Sequence, residues 1–279
     1  VAGFTVIESG GTTTVAEDGT TTDDFTVVLD AQPISDVVIS VTSLDTGEVT
    51  VSPATLTFTS GNWDSSQTVT VTGVDDSLID GSQTSTVTIA VVDESSNDSF
   101  DSLADQTVSV STADNDTAGF TITQTDGSSS VTEGGSTDLF TVVLDAQPTS
   151  DVVITVSSSD TGEATVSDST LTFTAANWDT AQTITMTGVD DDLVDGTQTS
   201  TITLAVDDAN SDDSFDAASD GTVSVSTADD DTAGFTITQT DGSSSVTEGG
   251  STDLFTVVLD KGPLTDVVIT VSASDTGEA

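Results

Sequence analysis

Residues 24–41 read DFTVVLDAQPISDVVISV, two runs of alternating residues on either side of a Pro-containing turn. In the first run Phe25, Val27 and Leu29 fall on one face; in the second, Val37, Ile39 and Val41 do. A period of two belongs to a strand that buries one side, and no run in the chain shows the apolar spacing of 3.6 that a helix needs. The pattern continues on both sides of this stretch. TLTFTS contributes Leu56 and Phe58, and QTVTVTG contributes Val69 and Val71 with Thr68, Thr70 and Thr72 opposite. STVTIAVV contributes Val87, Ile89 and Val91, and QTVSVS contributes Val108 and Val110. Every run is short, rich in Val and Thr, and bounded by Gly, Asp, Asn, Ser or Pro. Strands are expected near 12–16, 24–30, 36–43, 48–59 (interrupted at Pro53), 67–73, 84–92 and 106–112. The fold class expected is all-β, in tandem antiparallel β-sandwich modules of immunoglobulin-like type.

The unit repeats. Ala2, Ala118 and Ala233 open equivalent segments, a period of about 115 residues, which is a whole domain and far longer than a solenoid unit. Segment 118–164 returns at 233–279 with only Ala146→Lys261, Gln147→Gly262, Thr149→Leu264, Ser150→Thr265 and Ser158→Ala273 changed. The division expected is a module at 1–116, a second at 117–231 and the first half of a third at 232–279. That third copy stops before any counterpart of LTFTAANWDTAQTITMTGVDDDLVDG, so either the chain continues or another chain completes it. Near-identical copies suit a spacer, stalk or fibre better than an enzyme.

Charge narrows the partners. Of 279 residues 49 are acidic and one, Lys261, is basic, with no His and no Cys, for a net charge of −48. Nucleic acid and anionic membrane surfaces need basic patches, so neither is an expected partner. A cation is. The 34% apolar content and mean hydropathy of +0.02, regularly patterned, indicate a folded chain despite the charge. No run approaches the roughly 20 apolar residues of a membrane span, so no membrane insertion is expected in this segment. The lack of Cys rules out a disulfide framework and fits a secreted protein of full-sized domains. With no initiator Met and no apolar leader, the chain reads as part of a longer processed product.

If each strand reverses direction, the odd-numbered strands end at one pole. That pole then receives Glu17, Asp23, Asp24, Asp45, Glu48, Asp75, Asp76, Asp80, Asp114, Asn115 and Asp116; if 48–51 and 55–59 reverse as separate strands the count fails for the early strands, but the 75–80 and 114–116 segments become neighbours either way. Two carboxylates ~5 Å apart at an effective dielectric of ~20 repel by roughly 3 kcal/mol, while a domain is stable by only about 5–15 kcal/mol. One Lys cannot neutralise such clusters; protons, salt or a metal must. All-oxygen ligands without His or Cys select hard cations, Ca²⁺ before Mg²⁺.

Three spaced motifs recur in order: VAEDG (15–19) or VTEGG (131–135, 246–250), VDDSLIDG (74–81) or VDDDLVDG (189–196), and DNDTAGF (114–120) or DDDTAGF (229–235). Together they resemble the Calx-beta repeat, known from sodium–calcium exchanger regulatory domains and from arrays in bacterial surface proteins. The resemblance covers both complete modules and the partial third. It implies a Ca²⁺-binding β-sandwich whose metal cluster lies at the pole nearest the following domain. The ligands it implies are Glu17, Asp76, Asp80, Asp114, Asn115 and Asp116, with Asp75 adjacent, in the first module. In the second they are Glu133, Asp191, Asp195, Asp229, Asp230 and Asp231, with Asp190 adjacent; in the third, Glu248. Gln83 and Gln198 stand where exchanger domains carry a further Glu, and Asn115 stands for an Asp, which implies weaker Ca²⁺ binding suited to millimolar extracellular levels.

The function expected is an extracellular or cell-surface stalk, bacterial or archaeal and not an enzyme, whose acidic loops bind Ca²⁺ at module junctions. Its partners would be calcium ions and neighbouring modules of the same or identical chains. The alternative is a subunit of a self-assembling filament or surface layer, completed by strands from another chain. A saline habitat would also explain acidity, though not acids recurring at one place in each module. The D-x-[DN]-x-[DN]-G spacing of an EF-hand is absent. Trp63 and Trp178 read as core plugs rather than sugar platforms, and Gly81 and Gly196 as tight turns.

Overall fold

The computed structural model describes residues 1–277. They group into two compact units, Val1–Ala118 with Ala146–Thr149, and Gly119–Asp145 with the chain from Ser150 onward.

The first unit contains β1 (Phe4–Glu8), β2 (Thr13–Ala16), β3 (Thr22–Leu29), β4 (Val37–Ser43), β5 (Val49–Ser52), β6 (Thr55–Phe58), β7 (Gln67–Gly73), β8 (Gln83–Val91) and β9 (Gln106–Ala113). They form two sheets, β1-β3-β7-β5 and β2-β9-β8-β4-β6. The residues that alternate in sequence are those that fill the space between the sheets: Phe25, Val27, Leu29, Val37, Ile39, Val41, Leu56, Phe58, Val69, Val71, Val87, Ile89, Val108 and Val110 are all buried. Val91, at the end of its strand, is half-buried. Trp63 packs half-buried against the same core, and its carbonyl accepts a hydrogen bond from the Leu29 amide at 3.1 Å.

Three details differ from the sequence reading, each for a local reason. Residues 4–8 form a strand of their own before the one expected at 12–16. Gly10 and Gly11, at φ 67° and 83°, break the chain so that β1 stays with β3 while β2 crosses to the other sheet. The run 48–59 is two strands in different sheets: the chain changes layer at Pro53, and the second unit makes the same change at Asp168, so the crossing does not depend on proline. Finally, β2 pairs with β9 in parallel, Thr13 opposite Val110 through Ala16 opposite Ala113, within an otherwise antiparallel sandwich.

The second unit repeats this plan with β10 (Phe120–Gln124), β11 (Ser129–Thr132), β12 (Thr137–Leu144), β13 (Val152–Ser158), β14 (Ala164–Val166), β15 (Thr170–Phe173), β16 (Gln182–Gly188), β17 (Leu193–Val194), β18 (Gln198–Val206) and β19 (Gly221–Ala228). Its sheets are β10-β12-β16-β14 and β11-β19-β18-β13-β15, the last beginning with a parallel β11–β19 pair. The third copy belongs to this unit. It supplies β20 (Phe235–Gln239), β21 (Phe255–Leu259) and β22 (Gly262–Pro263), of which β20 and β21 pair antiparallel. Phe235, Ile237, Phe255 and Val258 on those two strands are exposed. Among the described residues, helical structure is limited to three-residue 3-10 turns, and no helix is long and apolar enough to cross a membrane.

Candidate metal centre

Because β2 and β9 run parallel, both finish at the same pole, and the Glu17 amide closes the ladder on the Ala113 carbonyl at 2.9 Å. β7 arrives beside them from the other sheet. A Cβ at Gly73 would lie 2.0 Å from the Ala16 carbonyl oxygen, and one at Gly188 would lie 2.2 Å from that of Thr132, so the approach requires glycine. The chain then enters the acidic 74–81 loop, and the Val74 amide donates to the Glu48 carbonyl at 2.9 Å. Four segments distant in sequence thus meet: Glu17, Glu48, the 74–81 loop and the 114–116 segment.

Asp114 ties two of them. Its Oδ2 accepts from the amides of Asp80 (3.1 Å) and Gly81 (2.8 Å), and its Oδ1 from the amide of Asp116 (2.7 Å). Asp229 does the same in the second unit, with the amides of Asp195 (2.9 Å), Gly196 (2.7 Å) and Asp231 (2.7 Å). Gly81 and Gly196 take φ of 71° and 74°, as a tight turn requires. Asp76 and Asp191 cap their own loops, accepting from the amides of Leu78 (2.7 Å) and Leu193 (2.6 Å).

What remains is carboxylate oxygen without a donor. Glu17 Oε1, Glu48 Oε2, Asp80 Oδ1 and Asp116 Oδ2 are buried and accept no hydrogen bond. The equivalent four in the second unit, Glu133 Oε2, Glu163 Oε2, Asp195 Oδ1 and Asp231 Oδ2, are in the same condition. Glu17 is 1% exposed and Glu133 3%. Burial, and then the negative charges of Asp76 and Glu48, push Glu17 up to about 7. Burial likewise raises Glu48, with Asp80 next, and Asp116, with Asp114 and Asp76 next. In the second unit burial raises Glu133, aided by Asp191 and Asp229, and Glu163, aided by Asp195.

One oxygen each from Glu17, Asp76 and Asp116 lie within 4.8 Å of one another, as do oxygens of Glu133, Asp229 and Asp231. Oxygens on opposite sides of a Ca²⁺ ion, at 2.3–2.6 Å each, stand about that far apart. These are the two places among the described residues where three or more acidic side chains come close enough to share an ion. The donors are all oxygen; Glu17 and Glu133 are buried, Asp116, Asp229 and Asp231 half-buried and Asp76 exposed, and the oxygens left without a hydrogen bond fit a hard divalent cation.

The other sequence-predicted residues stand at the margins. Asp75 and Asp190 are exposed, Asp75 adding to the field that raises Asp116. Asn115 and Asp230 are exposed as well, and the Asp230 backbone hydrogen-bonds Glu133. Glu248 is exposed and belongs to neither group of acids that could share an ion. Of the acids expected at this pole, Asp23 instead accepts from the amides of Thr14 (3.0 Å) and Asp24 (2.7 Å), and Asp45 accepts from the Gly47 amide (3.1 Å). Two buried acids beside these clusters, Glu48 and Glu163, were not among the ligands expected from the sequence. Their signal was the DTGE run at 45–48 and 160–163, which recurs in the same place in each module.

No family model matches the chain, and no curated protein sequence is similar to it. Solved structures of similar fold include the calcium binding domain CBD12 of CALX1.1, at 14% identity over 72% of this chain and 80% of that one, with a TM-score of 0.29. Domains 4 and 5 of the S-layer protein SbsC match at 15% identity over 81% and 98%, with a TM-score of 0.33. The apo-form Calx CBD1 domain matches at 16% identity over 40% and 98%, with a TM-score of 0.30.

Proposed function

We propose that the chain is part of an extracellular, non-enzymatic tandem-repeat shaft, bacterial or archaeal, in which Ca²⁺ binds the acidic pole of each complete module. The observation that carries this reading is the set of four buried carboxylate oxygens without donors, recurring at equivalent positions in both units. A saline habitat accounts for acids on the surface; it gives no reason to bury them together unpaired, at a cost of about 1–3 kcal/mol or more each. Glu17, Asp76, Asp80, Asp114 and Asp116, with Glu48, would hold the ion in the first module, and Glu133, Asp191, Asp195, Asp229 and Asp231, with Glu163, in the second. The ion supplies positive charge that no side chain of the first unit provides. Because Asp114–Asp116 and Asp229–Asp231 lead directly into the next copy, binding there would also restrain the connecting segment and stiffen the array. The modules at 1–116 and 117–231 are the repeating elements of that shaft.

A bound ion stabilises the folded state by RT ln(1 + [L]/Kd). The test is a thermal melt of the full chain in excess chelator, in millimolar CaCl₂, and in NaCl of matched ionic strength, with calorimetric titration of Ca²⁺. Melting raised by Ca²⁺ well beyond matched NaCl, with saturable heat, is the expected result. Equal response to both salts and no binding heat would reduce the acids to a habitat signature.

A further inference from the structure

Lys261, the single basic residue of the chain, does not lie at random. Its Nζ is 2.6 Å from Asp231 Oδ1 and 2.7 Å from Asp192 Oδ1. The Asp231 side chain is 5% exposed and belongs to the Glu133–Asp229–Asp231 group. The lysine is fixed there by main chain: β17 pairs with β22, Leu193 opposite Gly262, and the Gly262 amide donates to the Asp192 carbonyl at 2.6 Å. The first unit has the same main-chain contact, from the Gln147 amide to the Ser77 carbonyl at 2.6 Å, but Ala146 stands in the lysine's place and is buried. Both partners of the ion pair therefore change together between repeats, Ser77 to Asp192 and Ala146 to Lys261. A lone random lysine would not bring its own second carboxylate.

We propose that Lys261 is a tethered counter-ion that takes part of the place of Ca²⁺ at the second acidic centre, making that centre the weaker of the two for calcium and less dependent on it. The inference rests on the calcium reading above. An ammonium and a Ca²⁺ ion a few ångström apart repel each other by enough to weaken binding about tenfold or more at protein-surface dielectric constants. In the absence of calcium the same ammonium neutralises Asp231, which in the first unit has its counterpart in Asp116, raised by burial and its acidic neighbours.

The test uses the full chain with Lys261→Ala, the double variant D192S/K261A, which restores the first unit's composition, and Lys261→Arg, which keeps the charge. Calorimetric Ca²⁺ titration of the wild type should resolve two affinity classes about tenfold or more apart. D192S/K261A should merge them at the tighter value, and Lys261→Arg should keep them separate. In chelator, Lys261→Ala should melt at a lower temperature than wild type, and saturating Ca²⁺ should close that gap. Isotherms identical in wild type and D192S/K261A, or an unchanged melt in chelator, would overturn the inference while leaving calcium binding intact. A gap in chelator that Ca²⁺ does not close, with no binding heat in any variant, would overturn the calcium reading and this inference with it.

Discussion

Glu17 shows how a single side chain records the demands of its surroundings. It sits at the end of β2, buried and facing other carboxylates, with its pKa pushed up to about 7. The unfolded value is near 4.5, so between those two pH values the folded state holds a proton that the unfolded state has released. Stability in chelator is therefore expected to fall as pH rises from 4.5 to 7, and Ca²⁺ should remove that fall by favouring the ionised form. Glu17→Gln should raise the melting temperature in chelator at pH 7, flatten its pH dependence, and reduce the Ca²⁺ response of the first unit. Scanning calorimetry of both proteins at a series of pH values checks this; a Glu17→Gln chain that melts lower in chelator would contradict it. Glu17 was legible in the sequence as the acid of VAEDG. Glu48 was legible as an acid at the same pole, but not as a participant, because its role depends on β5 lying beside β7 in the far sheet, and the 48–59 run read as one interrupted strand.

At the scale of elements, the strand pattern and the core were written in the alternation of apolar residues, and in the first two copies the structure buries nearly every residue so placed. The splitting of β1 from β2, and of β5 from β6, was not, since periodicity gives a residue's face and says nothing about which sheet receives it. The same limit hid the role of Gly73 and Gly188. A glycine ending a Thr-rich strand reads as punctuation, whereas it is the point where one sheet's strand touches the carbonyl of the other sheet's. Gly188→Ala would place a Cβ 2.2 Å from the Thr132 oxygen, forcing β16 away from β11 and opening the acidic pole. The expected cost is about 3 kcal/mol, with a matching loss of calcium stabilisation in the second unit, read from denaturant melts with and without Ca²⁺. A neutral effect would show that the two strands can separate without harm to the centre.

Over the whole molecule, the charge of −48 and the repeats were the features that sequence made plainest, and they indicate what a long acidic array has to manage: its own repulsion. The parallel pairing of β2 with β9, and of β11 with β19, bears on a different demand. In each case an early strand of a repeat is bonded side by side to its last strand, over four residue pairs. A tug on the two ends of such a repeat slides these strands past each other, so the cross-links between them share the load and must fail together instead of opening one by one. Single-molecule stretching should accordingly record one abrupt rupture per complete repeat; a gradual peel at low force would show that the load bypasses this pair. If the chain serves as the proposed shaft, its tension-bearing element would then be the sandwich itself, and an ion held at the acidic pole would guard the end at which β2 and β9 finish together.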